Sequence, residues 1–126
     1  MNKLNHFSQL EAWKVNHEVV VLIYQVTKNF PSVERFGITD QLRRSASSVT
    51  ANIAEGWGRF HYQDKLRFYY QARGSNSEVE NFLLLSRDLS CLNEKEFASI
   101  REKVARGGQV LNGLIRSTEI RKQKSR

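Results

Sequence analysis

A chain of 126 residues is long enough to bury one real core and short enough to hold a single domain. Its formal charge of +7 favours anionic partners, chiefly nucleic acid, with an anionic membrane surface behind it. The one cysteine, Cys91, excludes an internal disulfide, and a reducing cytoplasm is the expected compartment. The opening MNKLNHFSQLEAW lacks the apolar run of a signal peptide, and the longest apolar run, Val19 to Tyr24, is far short of the ~20 residues that cross a bilayer.

The first predicted helix runs from about Phe7 to Asn29 and is stopped by the only proline, Pro31. Trp13, His17, Val20, Ile23 or Tyr24, Thr27 and Phe30 mark its inner face. The β-branched run at 19 to 21 would suit a strand by propensity, but the helical pattern continues for some twenty residues around it. VVVLIY is apolar right around the cylinder, which implies a second buried face and assigns Val19, Val21 and Leu22 to an oligomer contact.

The second predicted helix lies within FGITDQLRRSASSVTANIAEGWGR, with Thr39 as its N-cap and Asp40 in its first turn. Ile38, Leu42, Ala46, Val49, Ile53 and Trp57 fall at helical spacing in one stripe. Ser, Thr, Ala and Gly fill most of the remainder, so a neighbour can approach closely. Arg44, Ser48, Ala51 and Glu55 line a second face, small in the middle and charged at its ends, which also reads as an oligomer contact. Gly56 and Gly58 end the helix, and Phe60 to Gln63 form a turn.

A third helix runs from about Tyr62 to Leu89, with Tyr62, Leu66, Tyr69, Ala72, Asn76, Val79, Leu83 and Ser86 inward. Gly74, Ser75 and Asn76 weaken it, by ~1 kcal/mol for the glycine, which either close contact with a neighbour or a kink would explain. Asn93 opens the fourth helix and forms, with Glu96, a capping box in which Asn replaces the usual Ser or Thr. Phe97, Ile100, Val104, Gly107 or Gly108, Leu111 and Leu114 give its stripe, and it is expected to fray after Arg116. These elements predict an all-α, antiparallel up-down-up-down four-helix bundle over residues 1–116, with a basic tail at 117–126.

The charge is uneven: Arg116, Arg121, Lys122, Lys124 and Arg126 stand against Glu119 alone, so the tail holds more than half of the excess. Arg59, Lys65, Arg67 and Arg73 form a second basic set near the turn between the second and third helices. Six aromatics, Trp57, Phe60, Tyr62, Phe68, Tyr69 and Tyr70, are interleaved with them. Rings that stack on unpaired bases and cations that neutralise phosphates make up a single-strand binding surface. Helical spacing sends Tyr62 and Tyr69 into the core, and Phe68 and Tyr70 fit a neighbour contact at least as well as a base.

Ion pairs are expected from Asp40 to Arg43 or Arg44, from Glu55 to Arg59 and from Glu102 to Arg106. Catalytic constellations are not legible. His6, His17 and His61 lack ligand spacing, no Glu-x-x-His pairs suit a metal in a bundle, and Cys91 has no histidine near in sequence. Ser45, Ser47 and Ser48 lack a nucleophile-elbow context, and GWG at 56 to 58 follows a helix rather than opening one after a strand. A non-enzyme without metal or cofactor is expected.

LEAW (10–13), IYQVTKNFP (23–31), FGITDQLRRSASSVTANIAEGWGR (36–59) and QARGSNSEVENFLLLSRDL (71–89) together resemble the four-helix bundle proteins encoded in intervening sequences of bacterial large-subunit ribosomal RNA genes. The likeness covers about Phe7 to Leu114, and TDQLRR and NIAEGWGR are its most specific portions. His17 departs from the small residue usual in that family, and Val49-Thr50 from its more frequent Ile-Pro. The resemblance implies a bundle assembling into a ring, a pentamer. It also implies kinship with the accessory proteins of diversity-generating retroelements, basic rings thought to bind nucleic acid and a reverse transcriptase. The expected function is a non-catalytic basic homo-oligomer that binds RNA or DNA through phosphate contacts. The rival is an oligomeric scaffold that docks a protein.

Overall fold

The computed structural model describes residues 3–125 and, within them, four helices. They are α1 (Glu11–Thr27), α2 (Ile38–Trp57), α3 (Tyr62–Asp88) and α4 (Glu94–Lys124). Each packs against its two neighbours, α1 on α2, α2 on α3, α3 on α4 and α4 back on α1, which gives the expected antiparallel four-helix bundle. Ile23, Leu42, Ile53, Leu83 and Leu111 are fully buried at its centre, one or two from each helix.

The start of the chain differs from the single helix expected over Phe7 to Asn29. A short 3-10 turn, Phe7–Gln9, comes first, and Leu10 breaks from it in an extended conformation. The break is stabilised locally: the Gln9 side chain accepts from the Asn5 and His6 amides, while Leu10 turns into the core. The inner face of α1 holds at Ile23 and Thr27, and at Phe30 just past its end, but is shifted by one residue in the first half of the helix. There Ala12, Asn16 and Val19 replace Trp13, His17 and Val20. Ala12, Asn16, Val19, Ile23 and Thr27 are buried. Trp13 and His17 stack on each other at 4.4 Å on the flank.

α2 begins earlier than expected. Gly37 is its N-cap, and Thr39 lies buried inside the first turn because Ile38 is already needed in the core. The expected stripe holds from Ile38 to Ile53, with Trp57 half-buried at its end. The small residues of this helix do allow a close approach at Gly56. A Cβ there would stand 2.6 Å from the Tyr69 ring and 3.1 Å from the Lys65 carbonyl.

α3 passes unbroken through Gly74, Ser75 and Asn76. Gly74 faces open space, so close contact does not explain it. Its two neighbours make the contacts instead: Ser75 bonds Ser48 of α2 at 2.8 Å, and the Asn76 amide donates to the Val104 carbonyl of α4 at 3.2 Å. On the other side of α4, buried Asn16 donates to the Gly107 carbonyl at 3.2 Å, and a Cβ on Gly107 would collide with the Asn16 side chain.

The capping box of Asn93 and Glu96 is present in both directions. Fraying after Arg116 is not seen: α4 continues to Lys124. Ile115 and Thr118 are buried and prolong the core stripe beyond Leu111, and Arg121, Lys122 and Lys124 favour the negative end of the helix dipole. The expected tail from residue 117 is thus helix as far as Lys124, with Ser125 as its C-cap, and Arg126 lies outside the described residues. No described helix is long and apolar enough to cross a membrane.

Candidate nucleic-acid interface

An antiparallel bundle puts the α2–α3 turn and the end of α4 at the same end. The two basic sets that are separate in sequence therefore meet there. Lys65 links α2 to α3 by donating to the Trp57 carbonyl at 2.7 Å, which satisfies an orphan acceptor at the end of α2. Burial, and then the nearby charge of Arg121 on α4, hold its ammonium below the ordinary lysine value. Lys122 is half-buried and lines two grooves, one with Tyr70 and Arg116 and one with Phe60 and His61.

The other basic residues are exposed. Arg59 lies 3.8 Å from Glu55, the expected pair, and its guanidinium sits over the Phe68 ring at 4.7 Å. Arg67 covers the same ring at 4.5 Å, so Phe68 is occupied within the chain. Arg73 sits over Tyr70 at 5.2 Å, further along α3. The Tyr70 hydroxyl donates to Glu119 at 2.7 Å, and that bond, with burial and the carboxylate's charge, raises the phenol above its ordinary value. Phe60 is 88% exposed at the turn. Among the described residues, Lys65, Arg67, Arg73, Arg116, Arg121, Lys122 and Lys124 have no carboxylate within ion-pair distance. Such a set of unneutralised cations attracts polyanions.

The residues assigned to an oligomer contact scatter. Val19 is core, 4% exposed, because the first half of α1 is shifted from the expected face. Ser48 is engaged with Ser75 inside the α2–α3 seam. Arg44 is exposed and bonded to Asp40 at 3.0 Å, while Ala51 and Glu55 are exposed beside it along α2. Val21 is exposed and Leu22 half-buried on the outer side of α1. Arg43 turns instead to α1, where it donates to Thr27 Oγ1 at 2.8 Å and covers the Tyr24 ring. Arg106 pairs with Glu11 across the α1–α4 seam at 3.7 Å, not with Glu102.

A family model described as 23S rRNA-intervening sequence protein matches residues 8–113. The chain belongs to that family. A crystal structure from Bacteroides thetaiotaomicron VPI-5482, titled a protein with unknown function from the S23 ribosomal protein family, shares the fold with a TM-score of 0.74. The two are 22% identical, and the match covers 82% of this chain and 97% of that one. No curated protein matches. The matched family region stops at Gly113, so the last turns of α4, with Arg116, Arg121, Lys122 and Lys124, lie beyond it. That stretch is where sequence reasoning fell short. The signal was the apolar step from Leu111 through Ile115 to Thr118, which continues the stripe beneath the basic residues.

Proposed function

We propose that this protein is a non-catalytic, basic homo-oligomer that binds RNA or DNA mainly through phosphate contacts. The observation that carries the reading is the meeting of Lys65 and Arg67 on α3 with Arg116, Arg121, Lys122 and Lys124 on α4, at one end and without carboxylate partners among the described residues. The charges of α4 stand on a helix rather than a loose tail, so less ordering entropy is lost when they meet a phosphate backbone. A ring, as the resemblance implies, repeats the patch and adds avidity.

The test is fluorescence anisotropy of a labelled ribosomal-RNA hairpin, single-stranded RNA and duplex DNA at two salt concentrations, on protein whose mass is fixed by light scattering. Affinity is expected to fall with a log–log slope of roughly −0.7 to −0.9 per phosphate neutralised. An affinity indifferent to salt sinks the reading. The second reading, a protein-docking scaffold, is favoured by a different observation. Val33 and Phe36, in the α1–α2 connection at the opposite end, are 84% and 87% exposed. A scaffold keeps its partner when the α4 charges are removed.

A further inference from the structure

The cationic end is not uniform. A groove beside Tyr70 includes Glu119 in its wall, which repels phosphate, and the groove beside Phe60 is a shallow surface around an exposed ring. A third depression, a cleft of about 650 Å³, lies between the end of α2, the first turns of α3 and the last turns of α4. Its wall includes Trp57, Tyr62, Lys65, Ser117, Arg121 and Lys3, and it contains no carboxylate. This volume is within the roughly 300–1,000 Å³ typical of small-ligand sites.

We propose that this cleft seats one unpaired base and its phosphate from a single-stranded nucleic acid. The proposal rests on the nucleic-acid reading above and sharpens it from a charged end to a defined subsite. Trp57 and Tyr62 are half-buried, held by the bundle yet still lining the cleft, so they offer rigid rings to a base. Lys65 is fixed by its bond to the Trp57 carbonyl, and its ammonium lies 5.5 Å from the Trp57 ring centre. That cation covers one face of the indole, so the stacking platform for a base is Tyr62, with Trp57 and Lys65 at its side.

Arg121 and Lys3 have no carboxylate partner among the described residues and stand free to hold the phosphate. Burial first, and then the charge of Arg121 on the same cleft wall, lower the Lys65 ammonium. An incoming phosphate offsets that charge, so this spot gains more from an anion than an isolated surface lysine does. The Ser117 hydroxyl donates to the Leu114 carbonyl and leaves its oxygen as an acceptor for a base or sugar.

The experiment uses the full chain carrying Trp13→Phe, which leaves Trp57 as the only tryptophan. Short oligouridylate, oligothymidylate and a base-free ribose-phosphate oligomer are titrated while Trp57 emission and anisotropy are both followed. Base-bearing strands should quench Trp57 with the same midpoint that anisotropy reports. The base-free oligomer should bind about ten-fold more weakly and leave Trp57 emission unchanged. A response from the RNA strand, the DNA strand or both supports the cleft and names the sugar it takes.

Tyr62→Ala should weaken binding about ten-fold. Arg121→Gln, an exposed change that spares the fold, should do so independently. Lys95→Gln at the far end should leave affinity unchanged. Salt-sensitive binding that leaves Trp57 silent and ignores the bases overturns the cleft while the phosphate reading stands. No binding of any strand at low salt overturns both.

Discussion

Where α2 turns into α3, Lys65 caps the end of one helix and Arg121 approaches from another. Where α1 turns into α2, Val33 and Phe36 stand almost fully exposed, with half-exposed Leu89 at the same end. The first end is cationic and aromatic; the second exposes apolar side chains set among charges of both signs, with Arg35 over the Phe36 ring at 5.4 Å. They are separable by solvent alone. Salt screens and displaces whatever the first holds, whereas excluded salts such as sulfate strengthen apolar contacts at the second. A basic protein with an even coat of charge could not be dissected that way.

The hardest test of the contrast is to neutralise one end. Arg116, Arg121, Lys122 and Lys124 changed together to Gln should lower RNA affinity by at least about a hundred-fold. They should also flatten the log–log salt slope by about three, as anisotropy across a salt series would measure. Retained affinity would leave the cationic end without a role. Because these residues sit on the helix that buries Thr118, neutralisation is a cleaner change than truncation at residue 117.

A second change attacks how that end is built. Gly56→Ala drives a methyl group into the Tyr69 ring and the Lys65 carbonyl, and should cost about 2 kcal/mol, read as a lower midpoint in chemical denaturation. An unchanged midpoint would mean that α2 and α3 can part there at no cost.

The same contact yields a pH-dependent effect of similar size. Burial is the main cause that pushes the Tyr69 phenol up to about 12, above its ordinary value of 10.0. The folded state therefore keeps a proton that the unfolded state gives up. This contribution is intact below pH 10, and stability falls as pH rises from there towards 12. Tyr69→Phe should lose that part of the alkaline slope in denaturation curves taken through this window. Smallest of all, Phe36→Ser at the second end should leave RNA affinity within about two-fold while reducing any self-association seen by light scattering. A large loss of RNA affinity would show that the two ends are not independent.

The sequence made the bundle legible because the stripes of α2, α3 and α4 are strongly periodic, and Asn93 with Glu96 marks one helix start without ambiguity. α1 was harder to orient. VVVLIY offers apolar residues on every side, and Trp13 outweighs Ala12 by hydrophobicity, yet Ala12 and Asn16 face inward. Asn16 is buried because the Gly107 carbonyl is there to accept its proton, and a partner 91 residues away leaves no trace in local pattern. The site was legible as two lists of cations but not as one place. That required knowing that α4 stays helical past Arg116, where charged side chains mask the continuing stripe of Ile115 and Thr118.

Asn16 and Asn76 grip α4 from opposite flanks within one turn of helix, at Gly107 on one side and at Val104 and Gly108 on the other. Together they act as a two-sided detent. An apolar seam alone would let the rod slip by a ridge or roll about its axis, since one aliphatic groove resembles the next. Two directional bonds to backbone carbonyls fix both the axial position and the rotation. Arg121 lies about 20 Å further along the same rod at 1.5 Å per residue, so a lock in the middle of the molecule sets where its last cations point.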